Sequence, residues 1–234
     1  MTGVAGRRVV VAGATGAAGR VVCAALTAAG ASVIALGSDD SRLAALAAEV
    51  PGLTVETVDL ADFAAVTSLA GRTGEVDGLI HLVGGWRGGK GLTGQSDEDW
   101  EFLSRSLITT LRNTTRAFQP ALLASPNARV AILSATGVDR PTAGNANYVT
   151  AKAAAETWLA AVAQSFGTGA PDTAAAVTFV IKALVDEGMR AAAPEKRFPG
   201  YTDVQAVGSA VVGLWDGRAA ELNGTRVSLV PVED

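Results

Sequence analysis

Val9-Val10-Val11-Ala12-Gly13-Ala14-Thr15-Gly16-Ala17-Ala18-Gly19-Arg20 decides how the rest of the chain is read. A β-branched run enters three glycines spaced GxxGxxG. An Ala/Val/Leu-rich segment of helical composition, Arg20 to Ala29, follows and stops at Gly30, and a second apolar run covers Ala31 to Leu36. Strand, glycine turn, helix, strand is the layout of a nucleotide-binding βαβ unit. Gly13 permits the tight turn, Gly16 lets a pyrophosphate reach the backbone, and Gly19 lets the helix pack on the sheet. The helix N-terminus then turns free N–H groups and a positive dipole end toward the phosphates. Thr15, Ala17 and Ala18 belong to the same turn and count with the glycines as cofactor contacts.

Outward from this unit, strands and helices alternate. Ser38-Asp39-Asp40-Ser41 caps a helix from Arg42 to Val50, which Pro51-Gly52 ends. Thr54 to Val58 alternates as a strand and leads into Asp59-Leu60, after which Ala61 to Arg72 reads as a helix. Asp77 to Val83 is a fourth strand running into Gly84-Gly85-Trp86, and Ser96-Asp97-Glu98-Asp99 caps one long helix that reaches Pro120 or Ala124. Ala128 to Leu133 is a fifth strand ending at Ser134, followed by a helix from Tyr148 to Phe166 and a sixth strand from Ala174 to Ile181. Asp186 to Tyr201 is irregular, with Pro194 and Pro199. Thr202-Asp203-Val204-Gln205 has the capping-box pattern and opens a helix to Trp215, and Arg226 to Val230 closes the sheet. The expected fold is α/β: one domain over residues 1–234, a Rossmann-like three-layer αβα sandwich on a seven-stranded, mostly parallel sheet.

Bulk properties agree. A chain of 234 residues, 49% hydrophobic and 18% charged, fits one well-filled domain. A net charge of −4 leaves no electrostatic footprint for nucleic acid or an acidic membrane surface. The single cysteine, Cys23, falls in the apolar first helix, and no stretch approaches the ~18 uninterrupted apolar residues of a membrane span. A cytoplasmic protein without disulfides is expected. His81 is the only histidine, which excludes a multi-histidine metal site, and its mid-strand position suits a hydrogen-bonded core residue. No metal is expected.

In open α/β sheets ligands bind beyond the carboxyl ends of the strands, where Asp59, Gly84-Gly85 and Ser134 all fall. Tyr148 and Lys152 stand at i and i+4 on one helix face. A neighbouring cation would lower the tyrosine pKa from about 10 and equip Tyr148 to exchange a proton with a carbonyl oxygen.

In this order the parts resemble the short-chain dehydrogenase/reductase family, from Arg7 to Val230. The resemblance rests on Gly13/Gly16/Gly19, Asp59, Leu82-Val83-Gly84-Gly85, Ser134 and Tyr148-Val149-Thr150-Ala151-Lys152. It implies that Asp59 and Leu60 meet the adenine and that Val83, Gly84 and Gly85 line the cofactor. It further implies that Lys152 holds the nicotinamide ribose beside Tyr148, and that Ser134 orients the substrate carbonyl while Tyr148 exchanges the proton. Homodimers or homotetramers packed through the long helices are implied as well. Departures from the pattern are a GxxGxxG spacing, a missing helix asparagine near Ser106-Leu107, and Lys182-Ala183-Leu184 in place of Pro-Gly. Ser134 precedes Tyr148 by one residue more than usual, so Thr136 is its alternative. Leu82 to Gly89 and Val185 to Arg190 are similar to dihydropteridine reductases, with Trp86 presented to a flat heterocycle.

The second strand ends in Leu36-Gly37-Ser38 without the acidic residue that takes a ribose 2′-hydroxyl. Ser38, with Arg20 or Arg42, suits a 2′-phosphate, which favours NADP over NAD, although Asp39 and Asp40 stand close in sequence. The leading function is therefore an NAD(P)-dependent oxidoreductase acting on a small carbonyl or alcohol. The alternative is a nicotinamide-binding regulator without catalysis. The substrate is expected to meet Trp86, Thr136, Phe198 and Tyr201, the last two in a lid over 186–201.

Overall fold

The computed structural model describes residues 3–232; the four outermost residues of the expected 1–234 domain lie outside the described residues. Strands β1 (Arg8–Ala12), β2 (Ser32–Gly37), β3 (Thr54–Thr57), β4 (Gly78–His81), β5 (Ala128–Ala135), β6 (Ala174–Ile181) and β9 (Arg226–Ser228) form one sheet in the order β3-β2-β1-β4-β5-β6-β9. Every neighbouring pair in it is parallel. The order reverses between β1 and β4, which makes that gap the topological switch point.

Parallel strands need crossover helices on both faces, so the central strands are apolar throughout; all eight residues of β6 are buried. On one face α1 (Ala17–Ala28), α2 (Asp40–Glu49) and α8 (Val204–Gly213) pack Val22, Cys23, Leu26, Leu43, Leu46, Val207 and Val211 against Val9, Val11 and Ala35. On the other, α3 (Phe63–Thr73), α5 (Thr110–Ala124) and α6 (Ala146–Gly169) bring Val66, Leu69, Leu111, Phe118, Leu159 and Phe166 to Val10, Leu79 and Val130. This is the three-layer sandwich read from the sequence. Burial pushes the Cys23 thiol up to about 12, so it is an inert core group.

The glycine turn is set by contact. Gly13 has φ +79°, and a Cβ there would sit 2.8 Å from the backbone of Leu82 and Val83. A Cβ on Gly19 would overlap the Gly13 carbonyl oxygen.

Three parts of the chain differ from expectation. The long helix is α4 (Asp97–Leu103), a π-turn (Ser104–Thr109) and then α5. Here the Ser106 hydroxyl donates to the Phe102 carbonyl at 2.7 Å and Thr110 Oγ1 to the Ser106 carbonyl at 2.6 Å, side-chain bonds that compete with the regular ladder. The irregular stretch contains α7 (Glu187–Ala192) and is framed by a small parallel ladder of β7 (Leu184–Val185) and β8 (Thr202–Asp203). Thr202 is therefore a strand residue whose hydroxyl donates to the Leu229 carbonyl, and Asp203 caps α8 in place of the expected capping box. A short helix, α9 (Ala219–Leu222), precedes β9.

Gly19→Ala forces the helix off the turn. The expected loss is about 2 kcal/mol, within the range for overpacked sites, measured by urea unfolding of the two proteins.

Candidate active site

The carboxyl ends of β1, β4, β5 and β6 open into one cleft of about 560 Å³ at the switch point. Its floor is the start of α1: Gly16, Ala17, Ala18 and Gly19. Gly16 caps the helix without a side-chain bond, and no acidic residue lies in the first turn. Among the described residues the N–H groups of Ala17, Ala18 and Gly19 have no acceptor, while a Cβ on Gly16 would meet only the Gly13 carbonyl at 3.5 Å. Three open amides on a bare backbone fit a pyrophosphate.

Val83, Gly84 and Gly85 line the next part of the wall, with Trp86 at the mouth, 65% exposed. Gly13, Thr15, Ser38, Asp59 and Leu60 do not line this cleft; they lie around the β1–β3 side of it. The Asp59 carboxylate accepts from the Ala61 amide at 2.9 Å and pairs with Arg105 at 2.7 Å. Leu60 is buried, its carbonyl held by Asn113 Nδ2 at 3.0 Å. At the end of β2, Arg42 reaches back to the Thr15 carbonyl at 3.1 Å, whereas Arg20 is paired with Glu49. The two aspartates are occupied. Asp39 accepts from the Ser41 hydroxyl and the Arg42 amide, which hold its pKa below the usual carboxylate range, and Asp40 accepts from Thr57.

Ser134, Thr136, Tyr148 and Lys152 all line the cleft. The electrostatics correct the expectation for Tyr148. Its pKa is raised above 10 by burial, not lowered by the neighbouring cation. The reason is geometric: the Lys152 ammonium lies 5.8 Å from the phenol ring centroid and donates to the Leu133 carbonyl at 2.7 Å. Lys152 itself is pushed down to about 8 by burial, against a stabilising effect of Glu156. At neutral pH the pair is thus a neutral phenol beside a cation.

Ser134 falls on the cleft with its hydroxyl engaged. Its hydroxyl, 1% exposed, donates to Glu156 on α6, and Arg226 holds the other oxygen of that carboxylate at 2.9 Å. Two residues further on, Thr136 reaches the cleft half-buried, in the 3₁₀ turn Thr136–Val138. His81 is the buried core histidine foreseen, its ring nitrogens 3.1 Å and 3.2 Å from the Thr110 and Thr114 hydroxyls. Burial, then the charge of Lys152, drive it down to about 3, so it stays neutral.

Phe198 and Tyr201 do not line the cleft. They pack edge to face at 5.5 Å, and Lys182 ties their loop by donating to the Pro199 carbonyl at 2.8 Å. A residue missed in the sequence is Gln95. Its amide nitrogen lies 3.2 Å from the Gly91, Ala143 and Gly144 carbonyls and its oxygen accepts from the Asn147 amide at 3.0 Å. It clasps the Trp86 loop to the residues that start α6, and no short-range pattern announces such a pairing across some fifty positions.

Residues 7–197 match the family model described as short chain dehydrogenase. The chain belongs to the short chain dehydrogenase family. Bovine (Bos taurus) L-xylulose reductase is 43% identical over 77 residues, 33% of this chain and 32% of that protein. The chain thus matches about a third of the length of the curated relatives. A short chain dehydrogenase from Shigella flexneri complexed with NADP superposes with a TM-score of 0.85 at 18% identity, covering 99% of this chain and 100% of that one. An NADPH-bound short chain oxidoreductase from Pseudomonas aeruginosa with an atypical catalytic center gives 0.81 at 19%, covering 95% of each. At these identities the structural matches show the shared fold.

Gln95→Ala is expected to free the 86–95 loop while costing about 1 kcal/mol globally for the lost hydrogen bonds. Limited trypsin digestion should cut after Arg87 or Lys90 markedly faster than in the parent, and urea unfolding should move little.

Proposed function

We propose that the protein is a nicotinamide-dependent oxidoreductase that reduces a small carbonyl compound, or oxidises the alcohol in reverse, with NADP preferred over NAD. The observation that carries this reading is a neutral phenol, a hydroxyl and a buried lysine on one wall of a cleft whose floor is three open helix amides. Ala17, Ala18 and Gly19 would hold the pyrophosphate, and Val83 to Gly85 would flank the nicotinamide half. When bound, the cofactor supplies or accepts the hydride.

The chain's own residues do the rest. The Thr136 hydroxyl donates to the substrate carbonyl and orients it, taking the part that Ser134, committed to Glu156, leaves open. Tyr148 donates its phenolic proton to the oxygen as negative charge builds there. Burial keeps the phenol protonated at neutral pH, ready to donate, and the charged Lys152 would hold the nicotinamide ribose beside it. Arg42, beside the glycine turn with its guanidinium on the Thr15 carbonyl, would meet a 2′-phosphate next to Ser38. A cytoplasmic location fits the reading; no helix among the described residues is long and apolar enough to cross a membrane. Assembly through the long helices is supported by a groove with Phe63, Thr115, Trp158 and Val162 between α3, α5 and α6.

Tyr148→Phe should lower turnover by roughly a thousandfold, the scale of a lost general acid, with NADPH binding by fluorescence intact. Full turnover in that variant would sink the catalytic reading; binding without turnover of any carbonyl in the parent would favour the regulator. A substrate panel of L-xylulose, a β-keto thioester and quinonoid dihydropteridine separates the substrate classes, the last testing Trp86 against a flat ring.

Arg42→Ala should weaken NADPH about tenfold, the loss of one charge-assisted contact, while leaving NADH unchanged in the same titration.

Lys152 is charged below its pKa of about 8 and neutral above it. Carbonyl reduction should therefore hold from pH 6 to 7 and fall as pH rises through about 8, read from the pH profile of kcat.

A further inference from the structure

Beside the cleft a polar cluster joins four separate parts of the fold. Ser134 at the end of β5 donates to Glu156 on α6. Arg226, from edge strand β9, gives its Nε to the other Glu156 oxygen at 2.9 Å and its Nη1 to Asp139 at 3.1 Å. Asp139 directly follows the turn that carries Thr136. Two ties therefore bracket Thr136, one two residues before it and one three residues after, and both end on the same Glu156–Arg226 pair. Neither Ala135 nor Gly137 between them has a side chain that could anchor the turn by hydrogen bonding.

Glu156 also stands one helical turn beyond Lys152, at i+4 on α6. The groups around Lys152 are few. Tyr148 and Glu156 share its helix, and Leu133 on β5 supplies a carbonyl. His81 on β4 is neutral, Lys182 lines the same cleft after β6, and the segment around the π-turn brings apolar Leu103 and Leu107. Glu156 is the carboxylate that opposes the cost of burying the Lys152 charge. An exposed ion pair would matter little here, but the Glu156 side chain is only 14% exposed and both its oxygens are occupied.

We propose that Glu156, clamped by Arg226, is a positioning residue for this site: it holds the Thr136 turn at the cleft that Tyr148 and Lys152 line, and it is the carboxylate partner of Lys152 along α6. This rests on the roles given to Thr136 and Lys152 above. It gives a polar pair outside the cleft two connected tasks, and it accounts for the bond that ties Ser134, itself on the cleft, to α6.

Glu156→Gln keeps the size and an acceptor for Ser134 but removes the charge, and Asp139→Asn weakens the Arg226 tie alone. The first readout needs no turnover: the Lys152 titration in the free protein, followed by NMR with ¹³C-labelled lysine. Glu156→Gln should move its midpoint to lower pH, and Asp139→Asn should leave it in place. The second is kcat for reduction of benzil by NADPH in the parent and in a Thr136→Val background. Glu156→Gln should lower kcat about tenfold or more, the scale of a misplaced reacting group, with little change in KM for NADPH. In the Thr136→Val background the same substitution should cost much less, because the two act as a unit.

An unmoved Lys152 midpoint in Glu156→Gln overturns the electrostatic role, and equal losses of kcat in both backgrounds overturn the positioning role. Should Glu156→Gln not fold, Asp139→Asn carries the test: a kcat loss that shrinks with Thr136→Val supports the clamp, and an additive loss rejects it. Full benzil turnover by Thr136→Val alone would instead remove the role of Thr136 in the functional reading, and the Lys152 titration would then decide what Glu156 does.

Discussion

Backbone touches backbone where the first strand turns into the first helix, and the site depends on that contact. Gly13 lies against the Leu82–Val83 peptide and Gly19 against the Gly13 carbonyl, each too near for a side chain. The contact seats α1 at the gap between β1 and β4 with its first amides facing outward. Everything else in the cleft is placed relative to them. β4 delivers Val83 to Gly85, β5 delivers Thr136, and α6 brings Tyr148 and Lys152 across from the next crossover. A parallel sheet makes this convergence automatic, because all its strands present their carboxyl ends on one edge.

Burial governs the electrostatics. The phenol and the lysine are each driven toward their neutral forms by loss of water. For the phenol that direction suits a proton donor. For the lysine it works against the charged form, and a carboxylate one turn away, itself held by an arginine from the last strand, opposes it. The buried histidine shows the same rule without a carboxylate to oppose it, and it remains an uncharged core group between two threonines.

How much of this was legible in advance follows from the range of each interaction. The order of strands and helices, the three-layer sandwich and the glycine turn are written in local periodicity and in residues whose conformational demands are felt within a few positions. The π-turn was not, because Ser106 and Thr110 divert a ladder that the apolar pattern alone continues unbroken. The role of Thr202 was misread for a related reason. A capping box and a strand end look alike until a partner strand, here β7, takes the backbone.

The candidate site divides in the same way. Tyr148 and Lys152 share a helix face by spacing alone, and the glycines mark the turn at the floor of the cleft, so the place of these groups at the strand ends was determined by the sequence. That the Ser134 hydroxyl is already bonded depended on a carboxylate twenty-two positions further along the chain. The direction of the tyrosine shift depended on desolvation, which exists only once the helix is packed. Phe198 and Tyr201 were drawn to each other, and Gln95 to a loop far along the chain. Sequence spacing determines which groups can share a surface; depth of burial and long-range partners, which only the tertiary structure supplies, decide which way each side chain turns and what charge it carries.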